Sequence, residues 1–293
     1  MKAWIRTALA VVAVLALGAV ALSGCTTPSD TTGTSTTGAP AQESGMLNIS
    51  GSDTIVNLAQ AWAEAYAEVN PNVAITVKGG GSGNGIAALI NKTVDIANSS
   101  REIKPEEIEQ AKANGVEPVT TVVARDGLAV IVNTGNKVTD ISKDDLGKVY
   151  RGEITNWKDL GGADAGIVLL GRDTSSGTYV FVQEEVLGKD GLYAKSMRNL
   201  QSTQAIVDET AKNANAIGYV GIGYESDSIK PLTVGGIEAT VDTVLDETYP
   251  LFRPLNMISD GEPTGAARAY FDWILGPDGQ KVVADQGFVP LSE

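Results

Sequence analysis

The sequence predicts an α/β fold. Short apolar runs of strand length alternate with stretches of helical spacing along residues 46–293, and several junctions between them are polar turns rich in Gly, Ser and Thr. Strands alternating with helices in this way build a largely parallel sheet covered by helices. A stretch of this length suits two lobes of ordinary size or one large domain, and composition does not choose between them.

Ahead of that stretch, Lys2 and Arg6 precede an apolar run from Ala8 to Leu22 that ends in Leu22-Ser23-Gly24-Cys25. The order predicts a secretory signal over residues 1–24. At about 15 residues the run falls short of the roughly 20 that a membrane-spanning helix needs. Small residues before Cys25 resemble the lipobox of lipoproteins, so Cys25 is the expected lipid anchor. It is the single cysteine, which leaves no partner for an intramolecular disulfide. Residues 25–45 are Cys25 followed mostly by Thr, Ser, Gly, Pro and Ala with almost no large apolar side chain, a composition that predicts a flexible tether.

The body begins with Leu47-Asn48-Ile49, which alternates like a strand. It runs into Gly51-Ser52-Asp53-Thr54, with Ser52 or Asp53 expected as N-cap. Ile55, Leu58, Trp62, Tyr66 and Val69 then recur at helical spacing. Asn70-Pro71-Asn72 breaks the helix, and Val73 to Val77 is the next strand. The unit repeats: Gly79 to Gly85 leads into the helical Ile86–Ile90, the strand Val94–Ala97 ends at Ser99-Ser100-Arg101, and Pro105 opens a helix that Gly115 closes. Thr120–Val123 and Leu128–Val132 are two buried strands separated by Ala124-Arg125-Asp126-Gly127. Further on come a helix near Ser142–Tyr150, a strand Ile167–Leu170, a helix after Gly177, a strand Ala216–Val220 and helices near 264–275 and 278–286.

Chemistry is narrowed by what the chain lacks. It has no histidine, which removes Ser-His-Asp and Cys-His catalysis, histidine bases and histidine metal sites. A net charge of −14 disfavours nucleic acid as a partner, since that needs clustered Lys and Arg. A small anion is compatible with that charge, because a buried site depends on a few local donors.

Three such donor turns follow predicted strands: Ser52-Asp53-Thr54, Ser82-Gly83-Asn84 and Ser175-Ser176-Gly177-Thr178. Free N–H groups and the positive dipole end at a helix start suit a compact anion; one turn alone reads rather as an ordinary cap, and it is three turns beside an arginine that favour a site. Arg172, at the end of a strand leading to Gly177, adds a planar fork for two oxygens. The alternative for Arg172 is a surface pair with Asp173 or another acid. Gly81-x-Gly83-x-Gly85 lacks the G-x-G-x-x-G spacing and no Gly-Lys-Ser/Thr follows, so nucleotide binding is a poor fit.

Gly51 to Thr54, Gly81-Ser82-Gly83, Ile154-Thr155-Asn156-Trp157, Arg172 to Thr178 and Ala216 to Tyr219 together resemble the phosphate-binding proteins of high-affinity phosphate ABC transporters. The resemblance covers nearly all of residues 46–293. It implies a two-lobed periplasmic-binding-protein fold of the second type, joined by a two-segment hinge: residues 46–124 and 247–293 as one lobe, residues 125–246 as the other. It implies phosphate contacts from Thr54, Ile55, Ser82, Ser100, Arg172, Ser176, Gly177 and Thr178. Ser52, Asp53 and Arg101 stand beside them as further candidates, and Trp157 is read as core packing. Inorganic phosphate and the permease subunits of an ABC importer are the implied partners, with a monomer held at the membrane by Cys25 on the outer face. No cofactor, metal or catalysis is implied.

One position departs from the family. Where members often carry an aspartate that accepts the proton of hydrogen phosphate, this chain has Ser100; Asp53 is the candidate substitute acceptor, with the N-cap role as its equal alternative. The competing readings are a receptor for sulfate, molybdate or tungstate, a surface phosphatase built on Asp53, Asp95, Asp126 or Asp173, and an envelope scaffold.

Overall fold

The structure, a computed structural model, describes residues 43–188 and 190–291. The predicted signal, Cys25 and most of the tether lie outside these residues. The chain opens with β1 (Gly45–Gly51), α1 (Val56–Val69), β2 (Val73–Lys78), α2 (Ser82–Ile90), β3 (Ile96–Ser99) and α3 (Pro105–Ala113). β1 lies between β2 and β3, parallel to both. This is the repeated strand, polar turn and helix expected from the sequence.

β4 (Pro118–Asn133) carries the chain from one lobe to the other. The sequence suggested two strands with a connecting segment at 124–127, but the backbone stays extended throughout. The physical reason is pairing on both sides of that segment. Residues 118–127 of β4 lie antiparallel to β10 (Phe252–Asp260), which also borders β3. From Leu128 onward β4 lies antiparallel to β8 (Ala216–Gly221) and β9 (Ile229–Val234). The ladder therefore changes partners between Gly127 and Leu128. It is continued by Leu128 N–H donating to Leu251 C=O at 2.8 Å, just ahead of β10.

The second lobe adds β5 (Asp140–Ile141), α4 (Lys143–Arg151), β6 (Val168–Arg172), α5 (Gly177–Val182), β7 (Arg198–Leu200), α6 (Thr203–Lys212) and α7 (Val241–Leu245). β6 pairs in parallel with β8 and β7, so the order runs β2-β1-β3-β10-β4-β8-β6-β7, with β9 also beside β4 and β5 beside β9. The sheet is mixed, parallel towards each edge and antiparallel around β4 and β10 where the lobes join. After β10 the chain ends in α8 (Gly265–Leu275) and α9 (Pro277–Asp285). Both pack on the first lobe, as expected: the buried Trp62 on α1 donates its indole N–H to Gly279 C=O at 2.8 Å. Trp157 is core, also as read from the sequence, and donates to Asn215 C=O at 3.0 Å.

Neither Ser52 nor Asp53, the alternatives expected as N-cap, caps α1. α1 starts at Val56, with Ile55 ahead of it and no side-chain bond at the cap. Ser52 Oγ instead accepts from Thr54 N–H in a turn, and the Asp53 carboxylate is drawn away from the helix towards Arg172. Ser142 and Ser176 do cap, accepting from Asp145 and Tyr179 N–H ahead of α4 and α5.

Candidate anion-binding site

The three polar turns meet where the lobes face each other. In the first lobe, Ser52 Oγ donates to Ser100 Oγ at 3.0 Å, and Ser100 N–H donates to Ser82 Oγ at 3.1 Å. All three serines are buried. Their approach depends on Gly51, which has φ 143°; a Cβ there would stand 2.1 Å from Asn98 C=O, so only glycine lets β1 run this close to β3.

The second lobe supplies the start of α5. Thr54 Oγ and Thr178 Oγ lie 2.9 Å apart across the two lobes, one donating to the other. Gly177 backs directly onto the serines, for a Cβ on it would meet Ser82 Oγ at 2.3 Å and Ser100 Oγ at 2.8 Å. At the rim, Gly83 N–H donates to Ser175 C=O at 2.9 Å. Ile55 is buried directly after Thr54, and Ser176 is buried directly before Gly177. The structure thus gathers Ser52, Thr54, Ser82, Ser100, Gly177 and Thr178 at one place.

Arg172 is not a surface residue. It is 2% exposed and donates Nη2 to Asp53 Oδ2 at 2.5 Å, across the lobes. Its other donors reach Thr203 Oγ1 at 2.9 Å, Gln201 C=O at 2.8 Å and Leu200 C=O at 3.2 Å. Asp53 Oδ1 accepts from Gly80 N–H at 2.8 Å, and Tyr224 O–H donates to Asp53 C=O at 2.6 Å. Both oxygens of the expected proton acceptor are therefore already engaged. Asp173, the alternative partner for Arg172, binds Ser175 through its N–H and hydroxyl.

Arg101 lies beside the Gly83 turn but is held by acceptors outside the serine cluster. Its fork grips Glu107 on α3 at 2.6 and 2.8 Å and donates to Glu102 C=O at 2.8 Å, while Nη2 stands 3.7 Å from the place a Cβ on Gly83 would take. Burial by itself would raise the Glu107 carboxyl. The Arg101 fork and the Lys104 N–H outweigh it, and the group ends below its ordinary value of 4.5.

The residue that sequence reading passed over is Arg253, 2% exposed at the start of β10. Nε and Nη2 donate to Asp126 Oδ2 at 2.9 and 2.8 Å, Nη1 to Thr178 Oγ1 at 3.1 Å, and Nη2 to Thr54 Oγ1 at 3.4 Å. Phe181 lies under its guanidinium, 5.3 Å from ring centroid to Cζ. Burial lifts the Asp126 carboxyl above its usual range, against the pull of Arg253. A signal was present: Arg253 stands in an otherwise apolar run from Leu251 to Leu255, and a cation placed there must find an acceptor. An open groove of about 320 Å³ lies beside the site, walled by Arg101, Ile103, Phe181, Phe252 and Arg253.

A sheet whose chain passes between two lobes along β4 and returns ahead of β10, with donor turns and helix starts facing each other over the crossing, defines a solute-binding protein for a compact anion. A family model described as a PBP superfamily domain matches residues 31–278. The phosphate-binding protein PstS of Bacillus subtilis is 36% identical over 253 residues, 85% of this chain and 82% of that one. PstS of Borreliella burgdorferi is 31% identical over 257 residues, covering 84% and 90%. Among solved structures, a Clostridium perfringens substrate-binding protein with bound phosphate superposes with a TM-score of 0.79 at 32% identity, covering 85% of this chain and all of the other. An ABC-type phosphate transport receptor from Vibrio cholerae gives 0.69 at 28% identity, covering 83% and 99%. The chain belongs to the PBP superfamily and, within it, to the family of PstS phosphate-binding proteins.

Glu107→Gln tests the Arg101 pair. A carboxylate whose folded pKa is lowered stabilises the fold above about pH 4.5, and that contribution fades as pH falls through the folded value. The variant is expected to lose about 1–3 kcal/mol in urea denaturation at pH 7. Its deficit against wild type narrows as the pH falls below 4.5.

Proposed function

We propose that the protein captures inorganic phosphate between its lobes and delivers it to the permease subunits of an ABC importer. The observation that carries this reading is the meeting of Thr54, Ser82, Ser100, Gly177 and Thr178 from both lobes beside the buried Arg172. A tetrahedral anion offers several oxygens, and this cluster offers hydroxyls and a helix start from opposite sides. Closing the lobes over the anion therefore completes its coordination. The relatives named above, one crystallised with phosphate, support the same ligand.

The lobe boundaries proposed for this movement are residues 46–124 with 247–293, and 125–246. They fit the change of ladder partners in β4 and the return of the chain at Leu251. Binding and release are all that the role requires. The four aspartates a phosphatase would need are committed separately: Asp53 to Arg172, Asp126 to Arg253, Asp95 to Asn48 and Asp173 to Ser175.

Ser100 is uncharged, so the position where relatives often carry an aspartate offers no charge repulsion to a second oxyanion. Calorimetric titration is expected to show micromolar or tighter phosphate binding, about 8 kcal/mol or more, with sulfate competing measurably. Arg172→Ala should weaken phosphate by roughly a hundredfold or more, the value of one or two charge-assisted bonds. Absence of phosphate binding in the wild-type protein overturns the assignment.

The residues before Met46 fit an extracytoplasmic location, with Cys25 lipidated on the outer face of the membrane and residues 25–45 as tether. Among the described residues no helix is long and apolar enough to cross a membrane. Cys25→Ser is expected to move the protein from the membrane fraction to the soluble fraction, and unchanged membrane retention contradicts the anchor.

A further inference from the structure

We infer that Arg253, held in place by Asp126, is a positioning residue for the anion: it fixes the threonine hydroxyls of both lobes as donors. The inference rests on the phosphate reading above and concerns a residue outside the expected contact set.

Arg253 and Asp126 face each other across β10 and β4, where the chain passes between the lobes along β4 and returns just ahead of β10. The carboxylate takes two donors of the guanidinium through one oxygen, at 2.8 and 2.9 Å, and its other oxygen accepts from Ile222 N–H at 3.1 Å. Phe181 closes off one side of the guanidinium. The remaining donors reach one hydroxyl from each lobe, Thr54 between β1 and α1 and Thr178 at the start of α5, and the Ser100 C=O at 3.4 Å.

The hydrogen count then restricts what the threonines can do. Each hydroxyl has one proton to give and two lone pairs to accept with. Arg253 has no acceptor, so its bonds to Thr54 Oγ1 and Thr178 Oγ1 are always donated and occupy a lone pair on each. In the structure one threonine gives its proton to the other across 2.9 Å, and the second proton is left for another acceptor. An oxyanion arriving between the lobes can take both protons, because Arg253 continues to satisfy the oxygens from behind. The guanidinium also places a positive charge one hydroxyl away from the anion. A threonine pair without this support would have to find new donors on binding.

Two roles are separable, since Arg253 could serve only to neutralise a buried aspartate. Removing it alone leaves Asp126 unpaired in the interior, which destabilises a fold for reasons unrelated to ligand. The decisive comparison is therefore Arg253→Met against the double variant Arg253→Met/Asp126→Asn. In the double variant the buried charge is gone and an acceptor oxygen remains for Ile222 N–H. Phosphate titrations of wild type and both variants are run on either side of the second ionisation of phosphate, alongside thermal melts.

Arg253→Met is expected to melt earlier and to bind phosphate about ten- to a hundredfold more weakly, the value of charge-assisted bonds lost. The deficit should be larger for the dianion than for the monoanion. The double variant is expected to regain melting temperature while affinity stays low. Affinity that returns with stability in the double variant, or a deficit identical for both ionic forms, would overturn the inference and leave Arg253 as a structural partner of Asp126. Wild type that binds no phosphate removes the functional reading as well, whereas wild-type binding with unaffected variants removes only this inference.

Discussion

The structure depends on keeping guanidinium groups buried where two lobes meet. Withdrawing an arginine and an aspartate from water costs several kcal/mol per ion, and their attraction offsets this only when the remaining donors are also satisfied. Arg172 and Arg253 meet that condition in different ways. Arg172 spreads its donors over Asp53, Thr203 and two backbone carbonyls, whereas Arg253 commits two donors to Asp126 and lends the rest to two threonine hydroxyls and the Ser100 carbonyl. Each pair joins residues more than 100 positions apart in the chain, so neither forms before the sheet is assembled. The charges are in place only in the native fold.

That requirement explains much of the architecture around it. β4 and β10 run side by side over residues 118–127, and this pairing holds Asp126 and Arg253 opposite each other and buried. The serine cluster depends on the close approach of β1 and β3 at Gly51, and Gly177 lets α5 reach it without a side chain intervening. Small residues thus set the distance between lobes and buried ion pairs set their alignment. The chain as a whole is strongly acidic, yet the cations that matter are local and shielded from bulk solvent.

Much of this was legible beforehand where the information is local. The first three strands and helices, the turns at Ser52, Ser82 and Ser175 and the strand carrying Arg172 follow from apolar periodicity and helix-start chemistry within a few residues. What escaped was long-range. The continuity of β4 through Ala124-Arg125-Asp126-Gly127 is imposed by β10 and by the chain at Leu251, and a tetrapeptide with a central charge pair and a glycine gives no hint of them. The switch of Asp53 from cap to ion pair is decided by Arg172, 119 residues away. β7, α6 and β9 are short or weakly apolar and are fixed by packing on β6, β8 and β4. Arg253 was visible as a misfit in an apolar run, but its two threonine contacts come from opposite lobes and no spacing in the sequence records them.

The central claim is that turns from both lobes form a single oxyanion site at the crossing. A crystal structure of the protein grown with arsenate tests it most directly, because arsenic scatters anomalously and marks its own position. The account predicts one strong anomalous peak within hydrogen-bonding reach of Thr54, Ser82, Arg172, Gly177 and Thr178. A peak elsewhere, or contacts confined to one lobe, would contradict it.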